Sequence, residues 1–346
     1  MKRVELVKLL ELVSPALSST NLVPVWTCFM FRPGTIEACN DVISITAKAN
    51  VTAATFAISG VVLAMLQNSH AEETTFDVTP DSVVIKTGKS VFRTPYFKES
   101  EFVFEHPKEK WAAVMPIDKT LLLGLEICLT TASTDQSKPA FMGVCFNFNT
   151  PKVTLFSTDS DAITKYTLSG KHTAKGVYTV PNAFCDALLK ICKETETTDG
   201  TISINEDWIK AKLNNGYTVC GRIIINENPV DHQAVLTERL GSTQYFVDVP
   251  KGLDAALARA RVLADPESAK TLVSVEGEKL KLVTETHMGI VRDELKLKGH
   301  SDVEAIVHAS LVARSLTFCD QLTILEGVTA YRAGNTVLQL VANIGE

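Results

Sequence analysis

A chain of 346 residues, 45% hydrophobic and 21% charged, has ordinary globular usage and is long enough for two or three domains. A formal charge of −6 excludes the broad basic footprint of a tight nucleic-acid binder, so any DNA would be held by topology or by a local patch. The longest apolar run, Phe56–Leu66, is broken by Ser59 and falls short of the roughly 20 residues a bilayer span needs. Glu5 stands where a signal peptide would begin its apolar stretch, so a soluble, cytoplasmic chain without membrane contact is expected.

Six segments carry apolar stripes at helical spacing. In chain order these are Leu6, Leu9, Leu10 and Val13; Ile58, Val61, Val62 and Met65; the less regular Leu121, Leu122, Leu125 and Leu129; Phe184, Ala187, Leu188 and Ile191; Leu253, Ala256, Leu257 and Ala260; and Ala309, Val312, Ala313 and Leu316. Their predicted starts, near residues 4, 58, 117, 181, 250 and 309, recur about every 60 residues, which marks an internal repeat. Pro116, Pro181 and Pro250 stand at three of these starts, where a first helical position suits a residue without an amide hydrogen.

Between the helices the pattern alternates as in strands. Val83 and Ile85 lead through Thr87-Gly88 to Val91; Val144, Phe146 and Phe148 lead through Asn149-Thr150-Pro151 to Val153 and Leu155; Val273 and Val275 lead through Glu276-Gly277 to Leu280 and Leu282. Each reads as an antiparallel hairpin. The expected fold class is therefore α+β: six repeated units of one helix and about four antiparallel strands. Paired, they give three domains at 1–107, 108–240 and 241–346, joined by continuous sheet or short connectors.

Chemistry is sparse. No nucleophile elbow, dinucleotide fingerprint, P-loop or zincin motif occurs. The eight cysteines are scattered and read as reduced core residues, and the seven histidines lack neighbours that would make a catalytic set. Asp159-Ser160-Asp161 could begin a calcium loop, but Thr164 and Gly170 occupy the places that need glycine and glutamate, so a polar turn is expected there. No metal, cofactor or catalytic residue is expected. Basic residues recur on five of the six helices (Lys2, Arg3 and Lys8; Lys119; Lys190 and Lys193; Lys251, Arg259 and Arg261; Arg314), which fits a lightly positive inner wall.

The order of these units resembles the bacterial DNA polymerase III β sliding clamp. The resemblance rests on Leu9–Ser14 followed by Val23-Pro24-Val25, on the hairpin Asp81–Phe92, on Gly143–Phe146 followed by Leu155–Asp159, on Val180-Pro181, and on the helix Leu253–Ala264. It implies a three-domain clamp fold in which two chains close head to tail into a ring around duplex DNA, gripping no particular sequence. A DNA polymerase and a clamp loader would be bound through short linear motifs.

By residue, the resemblance implies a peptide-binding pocket at Phe141, Thr158, Ser160, Asp161, Ala162, Ile163, Pro229, Val235, Leu340, Ala342 and Ile344. It implies a dimer interface at Phe92, Val262 and Leu263, and DNA contacts at Thr20 and Lys138. There are departures. The family has glycine, histidine, arginine and leucine where Ser160, Asp161, Ala162 and Ile163 stand; its last residues differ from Ala342-Asn343-Ile344-Gly345-Glu346; and its DNA-contacting arginine is missing near Ser18–Asn21. Such divergence suits a phage- or plasmid-borne clamp, and the pocket should prefer a different peptide. Three alternatives stay open: a clamp-fold scaffold that binds peptides without encircling DNA, an enzyme whose site assembles from scattered residues, and a trimeric ring of two-domain chains, which six units disfavour.

Overall fold

The computed structural model describes residues 1–20, 22–101, 111, 114–226, 230–241, 245–263 and 270–344. Helix α1 (Arg3–Val13) leads into β1 (Cys28–Arg32), β2 (Thr35–Cys39), β3 (Ile43–Lys48) and β4 (Phe56–Ser59). Helix α2 (Val61–Gln67) leads into β5 (Thr74–Val78), β6 (Val83–Thr87), β7 (Ser90–Thr94) and β8 (Met115–Ile117). Helix α3 (Lys119–Leu129) leads into β9 (Gly143–Asn147), β10 (Thr154–Thr158), β11 (Ala162–Thr167) and β12 (Val177–Pro181). Helix α4 (Asn182–Glu194) leads into β13 (Gly200–Ile204), β14 (Trp208–Leu213) and β15 (Tyr217–Arg222), and then α5 (His232–Leu240) precedes β16 (Val247–Asp248). Helix α6 (Leu253–Leu263) leads into β17 (Lys270–Glu276), β18 (Lys279–Thr286), β19 (Gly289–Lys296) and β20 (Val303–His308). Helix α7 (Ala309–Leu316) leads into β21 (Gln321–Leu325), β22 (Val328–Ala333) and β23 (Val337–Ala342). The six-fold repeat of a helix and about four strands is thus present, with α5 inserted in the fourth unit.

The chain divides into two compact units. The first, Met1–Leu122 with His172–Ala174 and Val180–Ile225, holds an eight-stranded sheet in the order β4-β1-β2-β3-β15-β14-β13-β8 and a three-stranded sheet β5-β6-β7. Its core joins Leu6, Leu10 and Val13 of α1 and Phe184, Leu188 and Ile191 of α4 to inward residues of the larger sheet. The second unit, Leu123–Lys171 with Lys175–Thr179 and Asn226–Glu346, holds the sheets β12-β9-β10-β11-β23-β22-β21-β16 and β19-β18-β17-β20. Its α6 buries the whole expected stripe, Leu253, Ala256, Leu257 and Ala260.

Each large sheet is continuous across an expected domain boundary. Strand β3 pairs with β15, Ile45 opposite Val219, and β11 pairs with β23, Ile163 opposite Leu340. Two hairpins close on tight turns with glycine at positive φ: Gly88 (φ 60°) between Thr87 and Ser90, and Gly277 (φ 61°) between Glu276 and Lys279. That backbone geometry matches the twist of the flanking strands and favours glycine.

Two expectations are corrected. Ile58 is not helical; it lies in β4, opposite Phe29 of β1. The helix begins only after Gly60, where a Cβ would come within 2.8 Å of the Leu17 side chain. The prolines do not open their helices either. Pro116 lies inside β8 and Pro181 ends β12, while Pro250 precedes α6 by three residues and accepts the Leu253 amide at 3.2 Å. Extended geometry at and before proline carries the strand through it; Pro181 itself stands at the capping position of α4, while elsewhere a later residue caps the helix. For α3 this is Asp118, whose Oδ1 accepts the Leu121 amide at 2.8 Å.

Candidate functional site

Strands β10 and β11 form a hairpin, with Thr158 opposite Ile163 and the turn Asp159-Ser160-Asp161 between them. Asp159 Oδ1 accepts the amides of Asp161 (3.0 Å) and Ala162 (2.8 Å), and Ser160 sits at φ 84°. This is the polar turn the sequence suggests, built on an aspartate that satisfies backbone donors locally. The Ala342 amide donates to the Asp161 carbonyl at 2.7 Å, tying the end of β23 to the same turn.

Helix α5 lies over this sheet face. Asp231 caps it by accepting the Ala234 amide at 2.9 Å, and Gly241 follows at φ 55°. Leu236 is buried and Val235 and Leu240 half-buried, packed with Cys145, Phe156, Ile163, Val328, Ala330 and Leu340. Beneath the strands a buried polar set fixes their register. Thr131 and Ser157 hydroxyls meet at 2.7 Å, Thr131 Oγ1 donates to Thr164 Oγ1 at 2.6 Å, and Gln339 Nε2 donates to Thr164 Oγ1 at 3.0 Å.

Beside α5 the packing leaves a cavity of about 100 Å³. Eight expected pocket residues line it: Thr158, Ser160, Asp161, Ala162, Ile163, Val235, Leu340 and Ala342. Arg239, Gly327 and Val328 complete the lining and were missed by sequence reasoning. Two expected residues do not join it. Phe141 is half-buried on the short turn Pro139–Phe141, where its carbonyl accepts the Ser133 amide at 2.9 Å. Ile344 runs alongside Ile306, to whose carbonyl its amide donates at 2.7 Å. Pro229 lies outside the described residues.

A second, polar cavity of about 690 Å³ adjoins the first. Asp161 lines both, and Asp135, Lys138, Asp159 and Arg314 line the second. Lys138 Nζ donates to Ser160 Oγ at 2.8 Å, so this expected DNA contact is engaged with the turn of the apolar cavity. Arg314 donates to the Thr130 carbonyl and faces Asp159 at 3.8 Å.

The expected positive wall is thinner than the sequence count. Arg3 donates to the carbonyls of Ala71 and Leu66, Lys190 to that of Glu11, and Arg259 to the Asp293 carboxylate. With Arg314, these side chains close local structure; Lys8, Lys119, Lys193, Lys251 and Arg261 have no ion pair among the described residues. Thr20 is exposed in a turn closed by Ser18, which leaves it a hydrogen-bonding group and no charge.

At the expected interface positions, Val262 is 79% exposed while Leu263 and Phe92 are half-buried. All eight cysteines are buried and none forms a disulfide, and burial pushes the Cys128 and Cys145 thiols up to about 12. No cluster of three or more histidine, cysteine, aspartate or glutamate side chains among the described residues is placed to hold a metal ion, and no described helix is long and apolar enough to cross a membrane.

His232, at the start of α5, stacks on Phe156 with ring centroids 5.4 Å apart. Burial lowers its pKa, outweighing Asp231 and its backbone hydrogen bond. The unfolded chain therefore takes up this proton first as pH falls below about 6.5. Stability should be full above that pH and decline below it, by at most about 1.4 kcal/mol per pH unit for this one group. Thermal unfolding of His232→Phe, which keeps a ring against Phe156, should show a shallower decline between pH 7 and 5.5 than the unaltered chain. Equal slopes would assign the decline to other groups.

No family model matches this chain, and no curated protein is similar to it in sequence. Solved structures are similar over its whole length. The DnaN sliding clamp of Bartonella birtlesii, bound to griselimycin, matches at TM-score 0.88 and 17% identity, covering 100% of this chain and 98% of that one. The chain has the sliding-clamp fold. The DNA polymerase III β subunit of Thermotoga maritima matches at TM-score 0.85 and 18% identity, with the same coverage of both chains. The β sliding clamp of C. crescentus, with polyethylene glycol bound at a region described as β-motif tethering, matches at TM-score 0.86 and 12% identity, again covering 100% and 98%. At such identities the fold is shared while most side chains have changed. In this sliding-clamp fold the apolar cavity is made by the hairpin turn, α5 and β23, each from a different repeat or insertion.

Proposed function

We infer that this chain is a DNA sliding clamp: two copies close head to tail around duplex DNA, and the cavity beside α5 takes short segments of a polymerase and a clamp loader. The observation that carries this is the full-length fold match at TM-score 0.88, joined by eight expected pocket residues around one cavity. The apolar floor of Ile163, Val328 and Leu340, with polar groups at the rim, is the construction that holds an apolar anchor and orients the chain around it. No catalytic role is assigned; the function is topological. A ring needs only weak phosphate attraction, and a tethered polymerase that lets go stays at high effective concentration beside its primer end. The three-domain division at 107 and 240 belongs to the same reading, each large sheet continuing across one boundary.

A second reading, a peptide-binding scaffold that encircles nothing, is favoured by the engagement of Arg3, Lys190, Arg259 and Arg314 within the chain. Retention on DNA separates the two. Incubated with its loader and nicked circular plasmid, a clamp should stay with the circle through a high-salt wash and leave when the plasmid is linearised. Equal loss from circles and linear DNA would favour the scaffold.

A further inference from the structure

The apolar cavity carries two charged side chains, Asp161 and Arg239, and neither has an ion pair or side-chain hydrogen bond among the described residues. They are not equivalent. Arg239 is an exposed, long side chain in the last turn of α5, where the helix carbonyls favour a cation. Asp161 is short, and its backbone is held on both sides: its amide donates to Asp159 and its carbonyl accepts from Ala342. The neighbouring carboxylates are engaged, Asp159 with two turn amides and Asp135 with the Ser137 amide at 2.9 Å. One fixed, unpartnered carboxylate therefore stands where the apolar and the polar cavity meet.

We propose that the segment bound here carries a lysine or arginine next to its apolar anchor, the anchor seated on Ile163, Val235 and Leu340 and the cation on Asp161. This rests on the reading of the cavity as a peptide site and specifies the partner's chemistry. A charge on a fixed backbone loses little freedom on pairing, and the apolar wall beside it lowers the local dielectric, so the pair contributes more than a flexible surface pair. A glutamate at the same position would meet repulsion and lose the pair.

The test uses the full chain and fluorescein-labelled peptides with a Leu-Phe anchor in a Gly-Ser background, bearing lysine, glutamine or glutamate next to the anchor on either side. Anisotropy titration should give lysine peptides roughly 3- to 10-fold tighter than their glutamate counterparts on at least one side, with the difference shrinking in 0.5 M salt. In D161N the difference should largely vanish, and in D161K it should reverse, with melting temperatures unchanged because the side chain is exposed. Equal affinities, or tighter glutamate peptides on both sides, would overturn the proposal and leave the peptide site standing. Anchor peptides binding no better than the Gly-Ser background would overturn the peptide site itself.

Discussion

Replacing Phe31 by alanine should cost the first unit about 3–5 kcal/mol, the range for a fully buried phenylalanine whose surroundings cannot close over the gap. Phe31 is fully buried on β1, its ring 5.1 Å from that of Phe56, in a stacked pair, and 5.2 Å from that of Phe76. Strand β1 pairs with β2 on one side and β4 on the other, so the backbone around the cavity is held by two ladders and cannot relax inward. Against a total stability of about 5–15 kcal/mol, this is a large fraction. All three tryptophans, Trp26, Trp111 and Trp208, lie in the first unit, so tryptophan fluorescence reports its unfolding. The urea midpoint should fall by roughly 1–2 M at unchanged slope, while Phe31→Leu should lose much less. A Phe31→Ala midpoint no lower than that of Phe31→Leu would show that the aromatic cluster does not anchor this sheet.

The repeat was legible because the longer helices bury a stripe and the hairpins turn on residues suited to turning. The α4 stripe of Phe184, Ala187, Leu188 and Ile191 is buried at every position. The second helix misled because the β4 residues Phe56-Ala57-Ile58 and α2 form one apolar run, and periodicity alone does not separate a buried strand from a buried helix. Helix α5 went unseen because only nine residues long, with Leu236 its one fully buried side chain, it shows little periodicity. Its terminal signals, Asp231 and Gly241, were in plain view. That omission hid Arg239, and with it the second charge of the cavity. The engagement of Arg3, Lys190 and Arg314 was illegible for another reason: their acceptors are backbone carbonyls far away in the sequence, which no local pattern marks.

If two copies close head to tail, as proposed above, a single substitution should separate them without unfolding either. Val262 lies in the last turn of α6, off the buried stripe, so its own unit does not account for it. A lone exposed valine is ordinary, but other apolar groups stand exposed on edge strands. Val91, next to Phe92, is 67% exposed on β7, which among the described residues pairs only with β6. Met288 and Ile290 are exposed at the start of β19, which likewise pairs only with β18, and α6 packs against β18 and β19. Open edges with apolar flanks invite pairing with another chain. Closing two copies head to tail would cover both edges at once, setting Phe92 of one chain against Val262 and Leu263 of the other. A carboxylate buried there without a partner would cost roughly 2–4 kcal/mol at each interface, and a closed two-chain ring would have two of them. Light scattering at micromolar concentration should therefore report about twice 37.7 kDa for the unaltered chain and about 37.7 kDa for Val262→Asp, with unchanged thermal unfolding. Val4→Asp, at a valine also exposed but on α1, should keep the doubled mass. A doubled mass that survives Val262→Asp would move the interface elsewhere, and a single-chain mass for the unaltered protein would put the scaffold reading ahead of the ring.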